Sequence, residues 1–315
     1  MNDTGVVIVT YNSERQIGRC LDSLPPGMPI VVVDNASTDG TRAQVLRRPQ
    51  ARLLSNEWNR GFAAAANQGF DALDCGCVLL MNPDVELSGD IDLLIEECKK
   101  DGVVAVTGKL IGEDGRPQLG FMVRRFPTPA ALAFEVLGIN RLLPGNRVNR
   151  RYRYADLDST AAADVEQPAG AFLMVRREAW RKLGGFDESF HPVWFEDVDF
   201  LKRAAMAGYV SRYVPGVAAR HEGGHSVGRI PAAAATMYWY GNLLAYAARH
   251  FPRTGVLAVC VALMLGSPAR AVFGVVRSAS LKPLAVYARV FCLAMKSLSN
   301  GRKRAPNLSS AFAAR

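Results

Sequence analysis

Three short apolar runs, each ending in a polar turn, constrain the fold of this chain more than any other feature. Val6–Val9 runs into Thr10-Tyr11-Asn12, Ile30–Val33 into Asp34-Asn35, and Val78–Met81 into Asn82-Pro83-Asp84. Such runs, rich in β-branched residues and bounded by turn formers, read as strands covered on both faces in a parallel sheet. Helical patterns fill the gaps. Ser13 is placed to cap a helix over 14–24, which Pro25-Pro26-Gly27 ends, and Ser37/Thr38 to cap another from about Gly40. RLLSN (52–56) reads as a third strand and the alanine-rich 61–73 as a helix; a helix over 90–100 and a strand over 103–108 follow. Strands that alternate with helices predict an α/β fold with a mostly parallel central sheet and right-handed crossovers.

In open sheets of this kind ligands collect beyond the carboxyl ends of the strands. No GxGxxG follows the first strand and no GxxxxGK[ST] occurs, which disfavours a dinucleotide fold and a P-loop. The strand ends carry side chains instead: Thr10, Tyr11, Asp34 and Asp84. One carboxylate can accept a hydrogen bond from a base or ribose, while another can hold a divalent cation on a phosphate.

Beyond 108 the pattern changes. Residues 120–160 are rich in Arg, Tyr and Pro with weak periodicity, and read as a long surface excursion or a pair of hairpins. A strand over 171–175 and a helix over 177–183, closed by Gly184-Gly185, restore the α/β order. A further helix starts near Glu196, with Glu196, Asp197 and Asp199 in its first turn, and a strand over 210–214 follows. Acids at a helix start are favoured by its dipole, but one cap needs one acid. The aromatic neighbours Trp194 and Phe195 suggest a half-dry pocket that raises a carboxylate toward a useful base. His221, in the Gly-rich stretch HEGGHS, is expected to lie exposed, where it could bind metal or phosphate.

Taken in order, VVIVTYN, VVVDNASTDGT, NRGFAAAANQG, LLMNPDV, GAFLMVRREAWRKLGGFDESF, WFEDVDFLKRAAMAGY and HEGGHS resemble the family-2, GT-A-fold, inverting glycosyltransferases. In wording they are most similar to the bacterial rhamnosyltransferases of polysaccharide and O-antigen synthesis. The resemblance spans residues 5–226 and implies the following. Thr10, Tyr11 and Asn12 line the nucleotide, and Asp34 hydrogen-bonds a pyrimidine base. Asn59, Gly61 and Asn67 lie near the ribose and diphosphate. Asp84 matches the last position of the DXD motif and holds Mg²⁺ or Mn²⁺. Asn82 stands where many relatives have the first Asp, which weakens metal contact on that side and leaves it among the donor-binding residues. His221 helps bind metal or phosphate. Asp197 is the base, with Glu196 the runner-up. The implied reaction moves a sugar, rhamnose from dTDP-rhamnose, onto a lipid-linked saccharide in cell-surface polysaccharide synthesis. The alternatives are a UDP-sugar donor on the same fold, or a silent nucleotide-sugar-binding scaffold.

Net charge matters once it is located. The last acidic residue is Glu222; residues 223–315 hold 12 Lys and Arg, whereas the first 222 hold 26 against 29 acids. Basic helical patterns after Ile230 therefore predict an anionic partner. VLAVCVALMLG (256–266) falls short of the roughly 20 residues a span requires, and extending it meets Pro268 and Arg270. The apolar stretches fit helices lying in an anionic membrane interface, or an appendage packed on the sheet or a second subunit. No nucleic-acid recognition motif accompanies them. The six cysteines make no CxxC pair, and no signal-peptide pattern precedes the first strand, so reduced thiols are expected. The expected plan is a catalytic domain over 1–226, a basic helical region over 227–299 and a disordered tail over 300–315, on the cytoplasmic face of the membrane.

Overall fold

The computed structural model describes residues 3–223, 228 and 230–300. The tail after Asn300 and the end of the HEGGHS stretch lie outside the described residues. The chain divides into two compact units. The first comprises Met1–Phe126, Asp156–Glu188 and Glu196–Arg229; the second comprises Pro127–Ala155, Ser189–Phe195 and Ile230–Arg315.

The first unit opens with β1 (Thr4–Thr10), α1 (Ile17–Asp22), β2 (Ile30–Asp34), α2 (Thr41–Leu46), β3 (Ala51–Ser55), α3 (Phe62–Asp71) and β4 (Cys77–Met81). These strands are parallel, and the register pairs Thr10 with Asp34 and Ile8 with Met81, so their polar exits end along one edge. β5 (Val85–Ser88), α4 (Asp92–Cys98), β6 (Val103–Ile111) and β7 (Val123–Arg124) come next. α5 (Pro129–Leu137), α6 (Ile139–Leu142) and α7 (Arg147–Tyr152) belong to the second unit. The chain then returns with β8 (Ala163–Val165), β9 (Gln167–Pro168), β10 (Phe172–Arg176), α8 (Arg177–Leu183), α9 (Glu196–Met206) and β11 (Val210–His221). Among the described residues the sheet has nine strands in the order β3-β2-β1-β4-β10-β6-β11-β5, with β8 beside β11. β10 runs antiparallel between β4 and β6, which makes the sheet mixed.

Burial explains the apolar runs. Leu79, Leu80 and Met81 have no exposed surface, and each contributes about 1.5–3 kcal/mol by leaving water. α3 lays Ala63–Ala66 on the sheet, and Gly69 lets it approach closely: a Cβ there would stand 2.4 Å from Val7 Cγ1. Phe70 stacks on Trp180 at 3.9 Å, and Phe186 and Phe200 close around that indole. The six cysteines are free thiols, five of them buried.

Several local expectations need correction. Ser13 does not cap α1, which starts later at Ile17; its backbone N–H is instead bound by Thr41 Oγ1 at 2.7 Å. Ser37 and Thr38 do not cap α2. Asp39 accepts from the Thr41 N–H at 3.1 Å, and Ser37 Oγ is spent on the Asn12 N–H. The 120–160 stretch holds helices α5–α7 rather than hairpins, with Thr128 and Asn146 capping two of them. β11 runs through to His221, well past 214, because β5 and β6 flank it along its length.

The second unit adds α10 (Ala232–His250), α11 (Arg253–Ser278) and α12 (Lys282–Asn300). α11 continues through Pro268 and Arg270, against the expected break. By length and composition it is the one helix among the described residues able to cross a membrane. Buried Asn242 of α10 donates to the carbonyl oxygens of Val193 and Trp194 at 2.9 and 3.3 Å. Trp194 and Phe195 have φ of 81° and 75°, a region costly to bulky residues, so this clamp opposes backbone strain.

Candidate functional site

The site is built where the strands end. Asp34, closing β2, is wholly buried. Its Oδ1 accepts from Thr10 Oγ1 at 3.1 Å; its Oδ2 accepts from the Ser37 N–H at 3.1 Å and from Arg42 Nε at 2.6 Å. Three of about four acceptor positions are thus used. Arg42 is the exchangeable partner, since its side chain is 42% exposed. Tyr11 follows half-buried, and Asn12 sits at φ 54°, where its Oδ1 accepts from the Thr38 N–H at 2.7 Å and shapes the turn.

Beside this cluster, Asn35 organises the loop before α3. Its Nδ2 donates to Asn59 Oδ1 at 2.9 Å and to the Gly61 carbonyl at 3.1 Å, and its Oδ1 accepts from the Arg60 N–H. Gly61 has φ 84°, which a side chain would resist. Asn67 is spent differently: its amide donates to the Phe186 carbonyl and Glu188 Oε1 at 3.0 Å and accepts from the Phe186 N–H, tying α3 to the turn after α8.

Past β4, Asn82 bonds through its backbone, donating to the Ala171 carbonyl and accepting from the Val85 N–H, while its side chain is half-buried. The antiparallel pairing of β11 with β5 sets His221 opposite Val85, next to Asp84. His221 is therefore a buried strand residue, 3% exposed, and not the exposed loop histidine expected. Its Nδ1 faces Gln118 Oε1 at 2.8 Å, and Gln118 Nε2 donates to its carbonyl at 3.1 Å. Phe121 stacks on the ring at 5.1 Å. That leaves Nε2, which lies 3.7 Å from Asp84 Oδ1. Both atoms are buried without a hydrogen-bond partner. Burial holds the imidazole below its ordinary pKa, outweighing the pull of Asp84 and Glu222, so the ring is a neutral lone-pair donor.

This pair fits a divalent cation. Ligands about 2.1 Å from a metal stand roughly 3.0 Å apart when adjacent and 4.2 Å when opposite, and 3.7 Å lies between. Among the described residues no third His, Cys, Asp or Glu completes a cluster, so further ligands would come from substrate or water.

The acids of α9 separate into distinct roles. Asp199 is wholly buried and paired with Arg203 at 2.8 Å; Arg203 also donates to the Leu183 and Gly185 carbonyls, so this acid fastens the helix. Asp197 is half-buried, its Oδ2 accepting from the Gly170 N–H at 3.0 Å and its Oδ1 from the Val198 N–H at 2.8 Å. Burial raises its pKa against the lowering effect of those bonds and of Arg124. Glu196 is buried with Oε2 unpartnered, and burial followed by the charge of Asp197 pushes its carboxyl well above the usual range. Gly170 and Ala171 lead into β10, antiparallel to β4, and this brings Asp197 to the same end of the sheet as Asn82.

Gln118, Phe121, Arg42 and Gly170 were not picked out from the sequence. Gln118 and Phe121 lie in weakly patterned chain that carries no signal. Arg42 could have been suggested by its place eight residues after Asp34, on the helix that follows, and Gly170 by its place at the head of GAFLMVRREAW.

The glycosyl transferase family 2 model matches residues 5–184, and the glycosyl transferase family group 2 model matches residues 148–296. The chain is 32% identical over 262 residues to an N-acetylglucosaminyl-diphospho-decaprenol L-rhamnosyltransferase of Mycobacterium tuberculosis, covering 78% of this chain and 84% of that protein. It is 27% identical over 171 residues to rhamnosyltransferase WbbL of Escherichia coli, covering 53% of this chain and 60% of that protein. In fold it is similar to Pyrobaculum calidifontis mannosyltransferase PcManGT in complex with GDP-Man and Mn²⁺, with TM-score 0.53, 23% identity, and coverage of 93% of this chain and 80% of that one. It is also similar in fold to S. aureus TarS 1-349 in complex with UDP-GlcNAc, with TM-score 0.55, 16% identity, and coverage of 95% and 82%.

Proposed function

This chain belongs to glycosyltransferase family 2, with the GT-A fold, and we propose that it transfers L-rhamnose from dTDP-rhamnose to a lipid-linked saccharide, with inversion. The observation that carries the sugar and the acceptor is the 32% identity, over most of both chains, to the decaprenol-linked rhamnosyltransferase.

Asp197 takes the proton of the acceptor hydroxyl as that oxygen bonds to the anomeric carbon. The bond from that carbon to the diphosphate breaks in the same displacement, and the nucleoside diphosphate leaves. A hydroxyl has a pKa far above neutrality, so the base needs a raised pKa and a fixed direction; burial supplies the first and the Gly170 N–H the second. Asp34 accepts from the base's imide when Arg42 moves aside, with Thr10, Tyr11 and Asn12 around it. Asn59, Gly61, Asn67 and Asn82 border the ribose and diphosphate. Asp84 and His221 would hold Mg²⁺ or Mn²⁺, which when bound offsets the charge of the leaving diphosphate. Burial, with the charge of Asp197, pushes the Glu196 carboxyl well above the usual range and so favours its neutral form beside Asp197. Catalysis takes place at the inner face of the cytoplasmic membrane, on an anionic lipid surface.

The test is thermal stability with dTDP-rhamnose and UDP-sugars, with and without Mn²⁺. A Mn²⁺-dependent rise with dTDP-rhamnose that Asp84→Asn removes is expected. Asp197→Asn should keep that rise and lose about 10²–10⁴ of turnover. A rise with a UDP-sugar alone would replace the donor, and a fully active Asp197→Asn enzyme would refute the assignment of the base.

A further inference from the structure

Charge divides unequally between the two units. The second holds 16 Lys and Arg against a single acid, Glu135, while the first holds 22 against 28. The second unit also leaves an unusual helix face uncovered. Leu257, Val261, Leu265, Val272, Phe273 and Val276 of α11 are all exposed, Leu265 by 68% and Val276 by 77%. At 100° per residue they fall within one half of the circumference, and they extend about 28 Å along the axis. The only charge between Thr254 and Val276 is Arg270, which is turned inward. Its guanidinium donates to the Val136 and Glu135 carbonyls at 2.9 and 2.7 Å, capping α5. The strip continues past Phe273, where the Arg141 guanidinium lies 5.9 Å from the ring and Leu142 and Leu143 are exposed by 79% and 64%.

The opposite face of α11, carrying Val259, Cys260, Leu263 and Ser267, is buried in protein. Along one flank α5 packs closely: a Cβ on Gly266 would stand 2.6 Å from the Val136 carbonyl oxygen. One face packed on protein leaves the other for lipid, and a helix lying in the interface uses one face in this way. An apolar face on a basic body matches the physics of a helix lying in the plane of an anionic interface. A second copy is the weaker occupant, because it would bring two bodies of the same strong charge together.

We infer that the exposed face of α11, with Leu142 and Leu143, is the surface by which this protein lies on an anionic bilayer, its apolar side chains entering the acyl boundary and Arg141, Arg277 and Lys282 meeting lipid phosphates. This deepens the lipid-surface partner proposed above. It rests on that reading only for the location of the acceptor, since the surface itself belongs to the second unit.

The test floats the full chain with vesicles of mixed phosphatidylcholine and phosphatidylglycerol, and with pure phosphatidylcholine. Binding to the anionic vesicles, released by high salt and by alkaline carbonate, is expected. Leu265→Glu with Val276→Glu should weaken it by about tenfold or more. Arg277→Gln with Lys282→Gln, which leaves the apolar face intact, should cost about fivefold for each cation. Transfer to a water-soluble acceptor analogue should be unchanged in both double variants, so failure of sugar transfer and failure of docking read separately. The inference is overturned by absent flotation on anionic vesicles, by a Glu double variant that floats like the parent, by retention after carbonate (a spanning segment), or by a dimer in sedimentation that the Glu substitutions dissolve.

Discussion

Gly170→Ala tests how Asp197 is aimed. Gly170 is not at positive φ, so its backbone accepts alanine without strain. The new methyl would stand 3.2 Å from both Cβ and Oδ2 of Asp197, where carbon contacts are comfortable at about 3.5–4.0 Å. The carboxylate must therefore move by about 0.3–0.5 Å, stretching the 3.0 Å bond from the Gly170 N–H. A misplacement of about 1 Å costs on the order of 10²-fold in rate, so this shift should lower kcat by about four- to tenfold. Stability should stay within about 1 kcal/mol, since nothing buried is removed. The assay is kcat and KM for the donor, with the unfolding midpoint measured on the same preparation. Unchanged kcat at an unchanged midpoint would refute the role of Gly170. A loss confined to donor KM would place the effect in the nucleotide pocket.

Three more outcomes follow from the same geometry. Glu196 and Asp197 both have raised pKa values, so between the ordinary carboxylate range and those values the folded chain binds more protons than the unfolded one. Stability should therefore fall as pH rises through that window, and Glu196→Gln should flatten the slope in urea titrations; transfer should fail as pH drops through the raised pKa of Asp197. Arg203→Met takes the guanidinium from the wholly buried Asp199 and frees two carbonyls; it should cost about 2–4 kcal/mol in denaturant unfolding, less than a fully buried pair because the guanidinium is a quarter exposed. Gly69→Ala forces a methyl to within 2.4 Å of Val7 Cγ1 and should cost at least about 1–3 kcal/mol by the same measurement.

Much of the first unit was legible because its signals are local. Apolar runs of four residues and the turns that end them fixed β1, β2 and β4, and Gly184-Gly185, at φ 76° and 67°, closed α8 as expected. Asp34, Asp84 and Asp197 stood out because each ends a strand or starts a helix in chain order. Capping by Ser37 fails because its hydroxyl accepts from the distant Asn12 N–H, and capping by Ser13 because α1 starts three residues too late. α5 is not readable locally because its far partner is α11, more than a hundred residues away in the chain.

Strand–helix alternation, acids at the ends of elements and the one-sided charge of the C-terminal third are each set by neighbours along the chain and can be read without a fold. The partner each acid meets is set by strand pairing far along the chain. Antiparallel β10 returns Gly170 to the end of β4 and so aims Asp197. The long β11 carries His221 past β5 to face Asp84, and Gln118, 103 residues away, leaves its Nε2 unpartnered there. Those meetings depend on strand pairing and burial across the sheet, which no local pattern records.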